Sequence, residues 1–160
     1  TSIQSALLLE TTGATVASGV LEISAASAPS NTSNFLIVAA TGGADKFYVY
    51  TNGNVVNVNN SYGALSDQSI KENIVDATPK LDDLMQVKIR NYNLINDENK
   101  IKQIGVVAQE LEQVFPLMVD IDGKSGLKQV KYSVFVPILI KAIQELNAKV
   151  TTLEAQLGAK

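Results

Sequence analysis

Apolar residues near the C-terminus recur at alternating spacings of three and four from residue 136 to residue 157. This spacing is the heptad pattern of an amphipathic helix with apolar side chains at the a and d positions. The positions, called the a/d stripe below, are Val136, Leu139, Ile143, Leu146, Val150, Leu153 and Leu157. The pattern predicts a long coiled-coil-like helix over about 134–158.

The a/d stripe has two interpretations. The helix could pack on its own domain, but the unbroken register favours self-association. Lys149 falls at a g position and Glu154 at the following e position, where they can pair between parallel neighbours, although an exposed pair contributes little. Val and Ile at a with Leu at d lean toward a dimer, so this rule alone does not set the number of chains.

The N-terminal part alternates short β-branched or aromatic runs with turn signals such as Gly42-Gly43 and Asn52-Gly53. The predicted strands cover 19–23, 34–38, 46–50 and 54–58. A segment of roughly 65 residues with so few strands buries too little apolar surface to be stable alone. We therefore expect residues 1–65 to pack against copies of themselves.

The following part mixes short helices and hairpins. Thr78 before Pro79 is typical of an N-cap with proline in the first turn, and it predicts a helix through about Gln86. Two hairpins (87–95 with 100–107, and 117–121 with 127–132) and a helix over 108–114 follow. The sequence thus predicts an α+β fold with two domains, 1–65 and 66–160.

Composition narrows the chemistry. The 160 residues are 46% hydrophobic and 18% charged, which is typical of a folded chain. The net charge of −3 and the absence of a basic run argue against a nucleic-acid partner. The apolar runs are too short for a membrane span, and residues 1–14 lack a basic secretory leader.

The chain has no cysteine and no histidine. Thiolate catalysis and zinc sites built on these residues are therefore excluded, and we expect no metal and no cofactor. Any nucleophilic chemistry must use Ser or Thr together with Lys, Asp or Glu.

Ser66 and Lys71 stand where the polar β-like part meets the charged part. A lysine with a pKa near 10.4 is neutral in about one molecule in 2,500 at pH 7, so burial would have to activate it. Residues five apart on a helix are separated by about 140°, so Ser66 lies on a turn or the lysine comes from another subunit. Asp67 and Glu72 would oppose activation if they pointed inward. The alternative is an N-cap serine and a solvated lysine.

Two acidic motifs have structural interpretations. Gln109 and Glu110 are expected to support the fold, by capping or inter-subunit hydrogen bonds, and not to act in catalysis. Asp120 and Asp122 beside Gly123 resemble the start of a calcium loop, but the later ligands are absent, so a turn is the better account.

Aromatic residues mark several predicted strands. These are Tyr48, Tyr50, Tyr62 and Tyr92. They could form a carbohydrate-binding surface on a fibre, but alternating aromatic residues in strands are usually packing pairs. No sugar site is assigned on this basis.

Four motifs occur in order along the second part: Ser66–Ile74, Ile104–Leu111, Phe115–Val119, and Val130–Tyr132 leading into Leu139–Leu146. Together they resemble the C-terminal intramolecular chaperone domain of phage endosialidases, tailspikes and tail fibres. The preceding segment, 34–63, resembles the end of a trimeric β fibre. The resemblance runs from Ser66 to about Leu157.

The resemblance implies a homotrimer in which each chaperone domain registers a tail fibre or spike and then releases itself. Ser66 would be the nucleophile, Lys71 the general base, and Leu65-Ser66 the cleaved bond of a single-turnover autocatalytic serine endopeptidase. Partners would be two further copies and an upstream fibre or spike domain of the same chain, which could contact a host-surface glycan. The protein would fold in the host cytoplasm and the fibre would enter the virion.

Two adjacent positions depart from the family pattern. The family commonly has Arg followed by Leu before the lysine, where this chain has Ser69 and Ile70. Ser69 is thereby an alternative nucleophile. Two other functions stay open, namely a non-cleaving trimerisation module and a receptor-binding fibre tip.

Overall fold

The computed structural model describes Ile23 and residues 30–159. The chain forms two compact units, one ending at Lys71 and the other beginning at Glu72. Small antiparallel sheets and helices are both present, which confirms the predicted α+β class. The predicted strand 19–23 lies outside the described residues, except for Ile23.

The first unit contains a three-stranded antiparallel meander. Its strands are β1 (Phe35–Thr41), β2 (Ala44–Tyr50) and β3 (Val55–Asn57), in that order. Gly42 and Gly43 connect β1 to β2 with φ angles of 59° and 75°. This left-handed conformation is easily reached only without a Cβ atom. Three predicted strands and their glycine turn are thus confirmed.

The sheet carries an aromatic cluster. Phe35 stacks on Tyr50 with ring centroids 5.0 Å apart, and it meets Tyr48 edge-on at 5.4 Å. No residue described between 30 and 71 is buried, and the side chains of Ile37 and Val38 are exposed. Within the described residues of this unit, the sheet therefore has no second layer covering it.

The second unit contains three helices and two hairpins. They are α1 (Leu81–Leu84), β4 (Arg90–Tyr92) paired with β5 (Gln103–Gly105), α2 (Ala108–Glu112), β6 (Val119–Ile121) paired with β7 (Lys128–Val130), and α3 (Phe135–Gly158). Short 3-10 turns lie at Pro116–Met118 and Tyr132–Val134. Both predicted hairpins and the long C-terminal helix are confirmed.

A small core holds this unit together. Leu111, Phe115 and Met118 are buried, with Leu111 only 1% exposed. Apolar side chains from the surrounding elements pack on them: Leu84, Val87, Val106, Val114, Val119, Val130, Val134, Phe135 and Ile138. Burial of Leu-sized side chains contributes about 1.5–3 kcal/mol each, so this cluster is the main apolar stabilisation of the unit.

The predicted start of α1 is wrong. The helix begins at Leu81, after Lys80, and Thr78 does not cap it. Instead the Glu145 carboxylate on α3 accepts hydrogen bonds from the amides of Lys80 (2.8 Å) and Leu81 (3.2 Å). The Glu145 carboxylate, which tertiary packing places here, therefore accepts from the free amides at the start of the helix. The local sequence predicted Thr78 for this role.

The long helix α3 presents the a/d stripe on its surface. The seven stripe side chains are between 43% and 71% exposed in the single chain. Ala142 on the same helix is buried, so α3 uses another face for packing within its own unit. In the described part of the chain, no helix is both long and apolar enough for a membrane crossing.

Candidate functional site: a serine and a lysine on one turn

A single 3-10 turn carries the candidate site. It covers Gln68–Ile70, with Asp67 as its N-cap and Lys71 as its C-cap. The Lys71 amide donates to the Gln68 carbonyl at 3.1 Å, which folds the backbone back over the turn. Asp-x-Ser sequences favour such turns because the short acidic side chain can accept from the backbone two residues on.

The turn brings the two predicted residues together. Lys71 Nζ donates to Ser66 Oγ, with 2.5 Å between the two atoms. Ser66 precedes the turn and both residues belong to the same chain, so a turn, and not a continuous helix or a second subunit, produces this contact. A hydroxyl touching an amine is the arrangement that a Ser-Lys pair needs for proton transfer.

The Asp67 carboxylate is hydrogen-bonded to Ser69 and not to the lysine. Asp67 Oδ1 accepts from the Ser69 amide at 2.8 Å and from the Ser69 hydroxyl at 2.6 Å. These two hydrogen bonds lower the pKa of the Asp67 carboxyl, the hydroxyl contributing most. Among the described residues, no carboxylate lies within 4.0 Å of Lys71 Nζ.

The site is open to water in the single chain. Ser66 and Lys71 are exposed, and Leu65, on the other side of the predicted cleavage bond, is 92% exposed. Ser66 Oγ and Lys71 Nζ are therefore in hydrogen-bond contact at a position that is open to solvent in the single chain.

Ser69 is differently engaged. Its hydroxyl donates to Asp67, while the hydroxyl in contact with the lysine belongs to Ser66. Between the two serines considered as nucleophiles, the contact with a possible base favours Ser66.

Glu110 has a partner that sequence analysis missed. Arg90 on β4 makes two hydrogen bonds to it, Nε to Oε2 at 3.0 Å and Nη2 to Oε1 at 2.6 Å. The Arg90 side chain holds the pKa of Glu110 below its ordinary value. This contact ties the β4–β5 hairpin to α2, so Glu110 has a structural role through an ion pair within the chain, which is neither the predicted capping nor a predicted inter-subunit hydrogen bond. Gln109 is exposed. Arg90 lies twenty residues before Glu110 along the chain, so no local sequence motif could identify it as the partner of Glu110.

The loop between β6 and β7 is a closed turn. Asp122 Oδ2 accepts from the Ser125 amide at 2.7 Å and from its hydroxyl at 2.5 Å, which lowers the pKa of Asp122. Asp120 pairs with Lys131 at 2.8 Å. Both carboxylates therefore have partners within this hairpin.

The tyrosines mostly serve packing. Tyr92 and Tyr132 approach Gly105 so closely that a Cβ atom there would lie 2.8 Å from the Tyr132 hydroxyl and 3.2 Å from the Tyr92 hydroxyl. Tyr48 and Tyr50 belong to the aromatic cluster on β1 and β2. Tyr62 is exposed, with its hydroxyl 3.5 Å from the Val55 carbonyl.

Comparison with known families bears on this turn. Residues 66–120 match the family model Peptidase_S74, described as "Chaperone of endosialidase". The match begins at Ser66 and includes Lys71, the turn, the β4–β5 hairpin, α2 and the core residues. It confirms the resemblance over 66–120, which contains the first three of the four motifs, while the fourth motif lies outside the match. No curated protein matches the chain.

Proposed function

We propose that the chain assembles a phage tail fibre or spike as a trimer and then cuts itself between Leu65 and Ser66, because residues 66–120 match the endosialidase chaperone family. The family match supports the chaperone role, and its name supports peptidase-like processing. The observation that carries the cleavage part is the 2.5 Å contact between Lys71 Nζ and Ser66 Oγ.

The proposed reaction is an acyl transfer followed by hydrolysis. Neutral Lys71 accepts the Ser66 Oγ proton while Oγ bonds to the carbonyl carbon of Leu65, and the proton passes to the departing Ser66 nitrogen as the C–N bond breaks. Water then hydrolyses the ester, leaving a carboxylate on Leu65 and restoring the Ser66 hydroxyl. Neighbouring placement supplies a large effective molarity.

Trimer formation is the proposed trigger. The single chain leaves both the a/d stripe and the β1–β3 sheet exposed, so two apolar surfaces are available for association. Association through the stripe would bring three copies into register, as in a parallel coiled coil. We propose that association also buries Lys71 and so favours its neutral form. The fibre would then remain in the virion, and residues 66–160 would be released.

The test is the intact mass of freshly expressed wild-type protein beside Ser66→Ala, with unboiled and boiled gel lanes for each. Fragments 1–65 and 66–160 in wild type alone are expected, with trimers in both samples. A single 17.1 kDa species in both samples would overturn self-cleavage and leave a non-cleaving trimerisation module. Fragments in Ser66→Ala would exclude Ser66 as the nucleophile.

A receptor-binding tip makes a different prediction. In that function the folded C-terminal part stays on the mature particle and binds a ligand, whereas the proposed chaperone leaves after cleavage. Mass spectrometry of purified particles for peptides from 66–160 separates the two.

A further inference from the structure

Asp67 is one of the two acidic side chains that neighbour the Ser66–Lys71 pair in the sequence, and the one that the structure holds by hydrogen bonds. It lies four residues before Lys71, a separation that a flexible lysine stem bridges readily on a compact turn. An anion paired with the lysine would favour the charged ammonium and oppose its action as a base. Glu72, the other neighbouring carboxylate, has no hydrogen bond or ion pair among the described residues.

Ser69 occupies Asp67 with two hydrogen bonds. The same oxygen, Oδ1, accepts both the Ser69 amide and the Ser69 hydroxyl, at 2.8 Å and 2.6 Å. The hydroxyl contact is a charge-assisted hydrogen bond, which is stronger than one between neutral groups. With Asp67 turned toward Ser69, Ser66 Oγ is the hydrogen-bond partner of Lys71 Nζ.

We propose that Ser69 is a positioning residue that keeps the Asp67 carboxylate turned away from Lys71. The proposal rests on the proposed self-cleavage and deepens it, because it assigns control of the base to a residue that does not touch the reacting atoms. Loss of the Ser69 hydroxyl leaves Asp67 with only the backbone amide to hold it. The freed carboxylate then pairs with Lys71, and cleavage requires a higher pH.

The experiment uses the full chain recovered uncleaved in denaturant, with cleavage started by dilution into buffers between about pH 6 and pH 10. Ser69→Ala is expected to shift the pH–rate profile to higher pH. The rate on the rising limb should fall by at least about threefold, the effect of an exposed ion pair and so a lower bound for a Lys71 buried by association, with an unchanged rate at high pH. Asp67→Asn removes the charge, so adding Ser69→Ala to it should cause no further shift.

Ser125→Ala is the matched control. It removes an equivalent hydroxyl contact, 2.5 Å from Ser125 Oγ to Asp122 Oδ2, in a turn of the other unit. Its profile should match wild type. The proposal is overturned if Ser69→Ala slows cleavage equally at every pH, leaves the profile unchanged, or still shifts it in the Asp67→Asn background.

A second readout separates this proposal from self-cleavage itself. Limiting acetic anhydride labels neutral amines, and peptide mass spectrometry reports the labelling of Lys71 alone. At a fixed pH, Lys71 labelling should fall about threefold in Ser69→Ala and should be equal in Asp67→Asn and the double variant. If wild type stays uncleaved while this labelling pattern appears, the proposed function fails and the role of Ser69 stands. Equal Lys71 labelling in wild type and Ser69→Ala overturns the role of Ser69.

Discussion

At the scale of single residues, the chemistry proposed for this chain rests on six consecutive positions, 66–71. Ser66 and Lys71 could be chosen from the sequence because the family resemblance implies the roles proposed for them, whereas residue type and spacing alone are weak signals. The direction of the Asp67 carboxylate could not be predicted, because it depends on which nearby hydroxyl donates to it. In the structure the Ser69 hydroxyl donates to the Asp67 carboxylate, and Lys71 donates to the Ser66 hydroxyl.

Lys71→Arg tests whether position 71 must lose a proton. A guanidinium can still donate to Ser66 Oγ but stays charged at all accessible pH values. We expect cleavage to fall by about 10²–10⁴-fold, the usual contribution of a general base, while trimers persist. The measurement is the fraction cleaved by gel densitometry. Lys102→Arg, at another lysine of the matched segment, should cleave like wild type. Cleavage by Lys71→Arg near the wild-type rate would contradict the general-base role.

At the scale of elements, hairpins and the long helix are set by local signals, and α1 is not. Glycine turns, apolar alternation and the heptad spacing are short-range properties, so β1–β3, both hairpins and α3 could be predicted. The start of α1 depends on Glu145, which lies 64 residues beyond Leu81 along the chain. No window of local sequence contains that contact, so the Thr78-Pro79 signal led to the wrong residue.

Glu145→Gln tests this distant cap. The amides of Lys80 and, more weakly, Leu81 lower the pKa of Glu145, with further help from Lys141 and Lys149, against a desolvation effect that raises it. A carboxylate with a lowered folded-state pKa stabilises the fold above its ordinary pKa of 4.5 and loses that effect as pH falls through the lowered value. The variant should therefore melt at lower temperature near pH 7, with a difference that shrinks in acid.

Circular dichroism melts in the Ser66→Ala background follow one intact species across this pH range. Glu98→Gln changes an exposed glutamate in the turn between β4 and β5, and it serves as the control. A difference between Glu145→Gln and its parent that is constant from pH 7 to pH 3 would show that the cap does not depend on charge.

At the scale of the whole molecule, the described part of the chain buries few apolar residues and leaves many large ones exposed. Only Leu111, Phe115, Met118 and Ala142 are buried apolar residues among those described, whereas the seven a/d stripe residues are all exposed. The proposed trimer is the assembly in which the stripe would be covered. The sequence predicted the stripe and its register, but neither the pattern nor a single chain sets the number of partners.

Leu146→Asp places a charge at the middle of the a/d stripe, where burial without a partner is costly. We expect the trimer fraction in size-exclusion chromatography with light scattering to drop sharply and cleavage to drop with it. Gln144→Asp adds the same charge to an exposed site outside the stripe on the same helix, and it should assemble and cleave normally. A monomeric Leu146→Asp protein that cleaved at the wild-type rate would contradict trimer-gated activation.

The open position of Ser66 and Lys71 has a kinetic consequence. If the pair is idle in a lone chain and acts only after three chains meet, fragment formation at low concentration rises more steeply than in proportion to protein concentration. Three severed chains then correspond to one completed assembly, and the uncut chains are the copies that never found partners. In a population of newly made fibres, the ratio of uncut to cut chains would therefore measure the fraction of chains that failed to assemble.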